Sequence, residues 1–267
     1  MRNRLFLIVT ICFIFLFSSC GEVEKHDQDT MFQVATLQSL MQGEYSSLLT
    51  IDELLQKGDF GIGTFKNVDG EMILLDGVVY QAKGDSTIKI AEGQMGSPFA
   101  IATYFDGDIS ENIAQISSLE QLKTKLDATI SQHSNTIWAV RIEGSFQNIK
   151  YRSEYPVVDN ARIPLAEWLQ DNQISWEKEQ AKGTIVAIYF PEYFSGLNAS
   201  SWHMHFISND KTFGGHLFDV NIIDAIVQYD KTEKFNLYIP DDHYYQELDL
   251  AKNKDEDIEK VEKDTQQ

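Results

Sequence analysis

The chain has 267 residues, 43% of them hydrophobic, and a formal net charge of −19. This length and apolar content support a folded core rather than a disordered chain. The acidity excludes nucleic acid and purely electrostatic attachment to anionic lipid, whose phosphates the overall field repels, so an anionic substrate would need a local cation such as a metal ion or an arginine.

The first residues differ from the rest. Arg2 and Arg4 precede an almost wholly apolar run from Leu5 to Phe17, which is too short to span a bilayer comfortably and has the layout of a secretory signal. It ends in Phe17-Ser18-Ser19-Cys20-Gly21, a pattern similar to a bacterial lipobox. The expectation is a signal peptide over 1–19, an exported protein lipid-anchored to a bacterial membrane through Cys20, and a polar tether over 20–31. An ordinary cleaved signal or a plain N-terminal anchor is the alternative. The chain has two cysteines, Cys12 and Cys20. The exported part therefore has no internal disulfide and no thiol to act as nucleophile or metal ligand.

Beyond the tether, Phe32, Val34, Leu37 and Leu40 predict a helical face over 31–40. The apolar runs on either side of Asp76-Gly77 predict a hairpin. A strand follows at 100–105, then a helix from about Ser118 to Ser131 opened by a capping-box pattern, Ser118 with Gln121. Residues 137–146 and 147–152 read as strands, and 164–170 as a short helix with Pro164 in its first turn. Thr184 to Phe190 is the clearest buried strand, with further strands over 202–208, 216–220 and 235–239. The tail after Pro240 is acidic, with a short helix expected over 257–262 and a solvated end as the plainer reading. The expected class is α/β: mixed β-sheets with few helices, in two sheet-rich halves. The boundary falls between an N-terminal domain over 32–155 and a C-terminal domain over 156–267.

Chemistry concentrates in Trp202-His203-Met204-His205-Phe206 and Gly214-Gly215-His216. Side chains alternate across a strand, so His203 and His205 share a face while Met204 and Phe206 point into a core. A turn at Asn209-Asp210-Lys211 would return His216 beside them, and the two glycines permit close backbone approach. Three imidazoles suit Zn2+, or iron or another divalent ion, and leave coordination positions open, the pattern of a catalytic site. The plainer reading is a set of histidines bonded to backbone carbonyls. His26, His133 and His243 read as solvated. No nucleotide loop, Gly-x-Ser-x-Gly elbow or Ser-His-Asp order is present.

Several blocks together resemble the alpha-acetolactate decarboxylase family. They are Gly61-Ile-Gly-Thr64-Phe65, Val68-Asp-Gly-Glu71-Met72, Ala139-Val-Arg-Ile-Glu-Gly144-Ser-Phe146, Lys150-Tyr-Arg152, Gly183-Thr184-Ile-Val and the histidine unit. The resemblance runs from about residue 32 into the tail. It implies decarboxylation of (S)-2-acetolactate to (R)-acetoin, with His203, His205 and His216 as zinc ligands. Glu71, Arg152, Thr64 and the tail residue Glu262 are then the other active-site groups, and a homodimer is implied. Without it, Glu71 and Arg152 read as ordinary strand-end charges. A proton donor in such a site needs a carboxyl with a raised pKa, as from burial; Glu71 is the expected donor and Glu262 its competitor. The alternatives are a cupin-like metal oxygenase, which shares the His-x-His pair, and a non-catalytic zinc-binding lipoprotein.

Overall fold

The computed structural model describes residues 27–251 together with Asp257, Ile258 and Val261. The expected signal peptide, Cys20, His26 and Glu262 lie outside the described residues. Among those described, no helix is long and apolar enough to cross a membrane.

In chain order the first elements are β1 (Thr30–Val34), α1 (Leu37–Met41), β2 (Leu49–Thr50), α2 (Ile51–Leu54) and β3 (Phe60–Thr64). Next come β4 (Glu71–Leu75), β5 (Val78–Ala82), β6 (Ile88–Ile90), β7 (Gly96–Ser97) and β8 (Ala100–Thr103). Then follow β9 (Ile109–Ile116), α3 (Leu119–Ile130), β10 (Ile137–Glu154), α4 (Leu165–Asn172) and β11 (Gln173–Phe190). The last are β12 (Ser201–Ser208), β13 (Gly214–Thr232), β14 (Lys234–Tyr238) and α5 (His243–Glu247).

A seven-stranded sheet runs β14-β1-β8-β3-β4-β5-β6, and a five-stranded sheet runs β10-β11-β12-β13-β9. In the second, β10 also pairs with β13, and β12 bridges β11 and β13, so four long strands close on one another. Mixed sheets with few helices are the observed class. The sheets do not divide at residue 155, however: β9 and β10 precede that point and lie in the five-stranded sheet, whereas β14 follows it and pairs with β1.

Ile62, Ile73 and Ile101 from one sheet meet Ala139, Val186 and Ile207 from the other in the core between them. On the outer face of the five-stranded sheet, α3 places Leu122, Leu126 and Ile130 against Trp138 and Val140. Ser118 caps α3 by accepting from the Gln121 N–H, while the Gln121 side chain reaches back to Ser117. The Asp76-Gly77 hairpin forms as expected, with φ of 52° and 73° at the two turn residues, the left-handed pair that a tight two-residue turn requires.

The helix expected over 31–40 is corrected: its first half is strand β1. That strand pairs with β14 on one edge and β8 on the other, and Met31 to Val34 are all buried. A strand covered on both faces reads as a continuous apolar run, which periodicity alone does not separate from a helix. The tail is also more engaged than its composition implies, for Ile258 and Val261 join the core between the sheets.

At the end of β13, Asp230 is 1% exposed, and Asp106 and Asp108 gather beside it. Burial, then repulsion from these two carboxylates, pushes the Asp230 pKa up to about 8. The folded state thus binds this proton more tightly than the unfolded chain does. Its stabilising effect is complete below the ordinary carboxylate range and is lost as pH rises through about 8. Asp230→Asn, a neutral substitute of the same shape, is expected to lose less thermal stability than the unsubstituted protein between pH 6 and pH 9. Melting temperatures that fall in parallel for the two proteins would refute this.

Candidate active site

The site is written in the strand registers. His205 on β12 pairs with His216 on β13, and His216 pairs on its other side with Arg152 on β10. Side chains paired across neighbouring strands share a face, so the three stand in one row. Alternation adds His203, two residues before His205, and Glu154, two residues after Arg152, to the same face. The row is tight because of Gly215: a Cβ there would lie 2.1 Å from the Arg152 carbonyl oxygen.

The three histidines are buried, and each offers a ring nitrogen within 4.8 Å of the other two. The Nε2 atoms of His203 and His205 stand 3.2 Å apart. Two imidazole nitrogens on a tetrahedral zinc, at bonds of about 2.0–2.1 Å, would stand roughly 3.3 Å apart. His205 Nδ1 donates to the Met72 carbonyl oxygen at 2.8 Å, which leaves the lone pair on Nε2, facing His203. Burial lowers the pKa of both His203 and His205 to about 4, keeping them in the neutral form that binds metal. The donor set therefore fits a divalent metal ion. Met204 faces the opposite way, into the core under α3.

The other half of the site comes from the seven-stranded sheet. Thr64 and Glu71 pair across β3 and β4 and are both buried. Glu71 Oε1 forms an ion pair with Arg152 Nη1 at 2.9 Å, and its Oε2 lies 3.4 Å from His205 Nε2. The Thr64 hydroxyl donates to the Gly70 carbonyl oxygen. Arg152 sits 5.5 Å from the centre of the Phe218 ring, and its Nη2 donates to the Val261 carbonyl oxygen at 3.4 Å. Thr64, Glu71, Arg152, Glu154, His203 and His216 line one pocket, walled on its apolar side by Leu37, Phe99, Leu165 and Val261.

Of the residues singled out in the sequence, His203, His205, His216, Glu71, Arg152 and Thr64 are brought together, while Glu262 lies outside the described residues. Glu154 is the residue that sequence reasoning passed over. It is 2% exposed and accepts from Arg152 Nη1 at 3.0 Å. Burial, reinforced by the neighbouring Glu71 carboxylate, raises its pKa well above the usual carboxylate range. The expected strand ends at Arg152, and only its continuation to Glu154 in β10 puts position 154 on the same face. His133 and His243 are solvent-exposed, as expected.

The family model of alpha-acetolactate decarboxylase matches residues 31–252. The chain belongs to the alpha-acetolactate decarboxylase family. The matched span holds the three histidines, Glu71, Thr64, Arg152 and Glu154; Glu262 falls beyond it. The family's protein from Methanosarcina mazei is 34% identical over 242 residues, covering 91% of this chain and 83% of the relative. That from Lactococcus lactis subsp. lactis is 35% identical over 241 residues, covering 88% and 95%. The crystal structure of alpha-acetolactate decarboxylase from Bacillus subtilis superposes with a TM-score of 0.84 at 30% identity, covering 88% of this chain and 99% of that one.

Proposed function

We propose that this chain, an enzyme that as a family member removes carbon dioxide from 2-acetolactate to give acetoin, does so with a zinc ion held by His203, His205 and His216. Arg152 is the carboxylate anchor and Glu71 the proton donor. The observation that carries the reading is the meeting of three buried imidazoles with a buried Arg–Glu pair in one pocket.

2-Acetolactate is a β-keto acid with a neighbouring hydroxyl, and losing its carboxylate leaves an electron pair that spreads onto the ketone oxygen. When bound, zinc supplies Lewis acidity toward the oxygens that carry this charge. The chain's own residues do the rest. The planar fork of Arg152 matches a carboxylate and holds it in one orientation. The apolar wall of Leu37, Phe99, Leu165 and Val261 keeps water away, which strengthens the charge interactions within the pocket. Glu71, held between Arg152 and His205, offers its carboxyl from one fixed position. Proton delivery from a single side gives a single acetoin enantiomer, here from the S substrate to the R product.

The test is incubation of the purified, zinc-loaded protein with racemic 2-acetolactate. Acetoin should form, a chelator should stop its formation, and added zinc should restore it. Restoration by iron but not by zinc would overturn the metal assignment, and no acetoin from the zinc-loaded protein would overturn the whole reading.

We also propose export and lipid attachment at Cys20, on the strength of the basic start, the apolar run and the Ser-Ser-Cys-Gly sequence. Labelling with a radioactive fatty acid should mark the wild type and not Cys20→Ser; equal labelling of the two would rule the anchor out.

A further inference from the structure

Arg152 is held in an unusual way for a substrate-binding arginine. Its Nη1 lies between two carboxyl groups: it donates to Glu154 Oε2 at 3.0 Å and stands 2.9 Å from Glu71 Oε1 as an ion pair. In a guanidinium Nη1 lies on the side of Cδ, and the edge that remains is formed by Nε and Nη2. Arg152 Nε is buried and has no hydrogen-bond partner among the described residues, and Nη2 makes only the longer contact to the Val261 carbonyl oxygen. A buried N–H without a partner is costly unless a guest supplies the acceptor, and the two parallel N–H groups of such an edge match the two oxygens of a carboxylate.

We infer that Glu154 is a positioning residue: its hydrogen bond to Arg152 Nη1, beside the Glu71 ion pair, holds the guanidinium so that the Nε–Nη2 edge faces the substrate carboxylate. This rests on the proposed role of Arg152 as carboxylate anchor. Glu71 alone would leave the guanidinium free to swing about a single contact. The second carboxyl, rooted on the same strand as Arg152 itself, fixes its plane. Glu154 is 3% exposed at its side chain and lines the pocket beside Thr64 and His216, so no water competes for the clamp. Burial, then the neighbouring Glu71 carboxyl, raises the Glu154 pKa.

Two substitutions separate this role from a merely structural one. Glu154→Gln preserves length and an acceptor for Nη1. Glu154→Asp preserves the acid but draws the acceptor back by one methylene. The probes are the reduced substrate, a dihydroxy acid that cannot lose carbon dioxide in the same way, and the matching diol without a carboxylate, each measured as an inhibitor of the zinc-loaded enzyme. Glu154→Asp should weaken inhibition by the dihydroxy acid by roughly tenfold or more, because a misplaced binding group loses most of its orienting effect. Its KM should rise by a similar factor with kcat changed less, since the carboxylate contact is made in the ground state as well as in the transition state. Inhibition by the diol should stay within about twofold, and Glu154→Gln should remain within about threefold of wild type throughout. The inference is overturned if Glu154→Asp binds the dihydroxy acid like wild type, if both inhibitors weaken equally, or if Gln impairs binding as much as Asp. A wild-type enzyme that makes no acetoin would instead sink the underlying functional reading, and the two failures are distinguishable.

Discussion

Glu71→Gln is expected to retain its zinc and to lose turnover by roughly 10²-fold or more, the scale on which a positioned acid contributes to proton transfer. The substitution removes the acid while preserving the surrounding geometry. Arg152 Nη1 keeps its hydrogen bond to Glu154 and still faces an amide oxygen at the position of Oε1, so the guanidinium is not released. The three imidazoles are untouched, and His205 stays anchored through Nδ1 to the Met72 carbonyl oxygen. KM should therefore change little and the loss should fall on kcat, as for an interaction made in the transition state. Metal analysis and steady-state kinetics on the same preparation decide the matter. A variant that keeps its zinc and turns over at the wild-type rate would show that the proton comes from elsewhere. If Glu262→Gln alone abolished turnover, the role would pass to the tail carboxylate.

Much of the site was legible in the sequence because strand geometry fixes side-chain direction. His203 and His205 share a face through the two-residue period, and Met204 falls into the opposite core. Gly214-Gly215 reports close backbone approach, which the 2.1 Å separation between a hypothetical Cβ and the Arg152 carbonyl oxygen explains. The pairing of Glu71 with Arg152 was not legible from spacing, since the two sit on different sheets and meet only when the sheets pack. Only the resemblance to the family pointed to them. Glu154 lies two residues beyond the strand end expected at Arg152, and a lone acid there gives no sign of burial.

The fold itself shows where local pattern loses to tertiary context. Strand β1 is central in its sheet and buried on both faces, so its apolar residues follow no single face. Strand β9 carries mostly exposed residues and pairs with β13 through one edge, so its sequence lacks the apolar run that marks a buried strand. Strands β10, β11 and β13 span 18, 18 and 19 residues, longer than the apolar runs that announce them. Their extra length forms the closed arrangement that aligns Arg152 with His216. A chain cut at residue 155 would separate Arg152 from the histidine row it completes, which is why a linear division of the sequence into halves does not match the sheets.

His205→Ala should be the most damaging single change to the metal site. His205 is fully buried, lies centrally in the row and donates to the Met72 carbonyl oxygen. Loss of an outer partner of a metal ligand already costs about 10–100-fold in affinity, so loss of the ligand itself should cost at least that and strip stoichiometric zinc during dialysis. The Met72 carbonyl also loses its donor, an unsatisfied buried acceptor worth about 1–3 kcal/mol, so the melting temperature should fall as well. Met204→Leu is the control. It changes the adjacent residue on the opposite face, with nearly conserved volume, and should leave both zinc content and activity close to wild type. The contrast between positions 204 and 205 tests the geometry directly. If removal of the His205 ring left one zinc per chain after dialysis, the three imidazoles would not be sharing an ion. If Met204→Leu stripped the metal equally, the effect would belong to strand β12 as a whole rather than to the face on which the histidines stand.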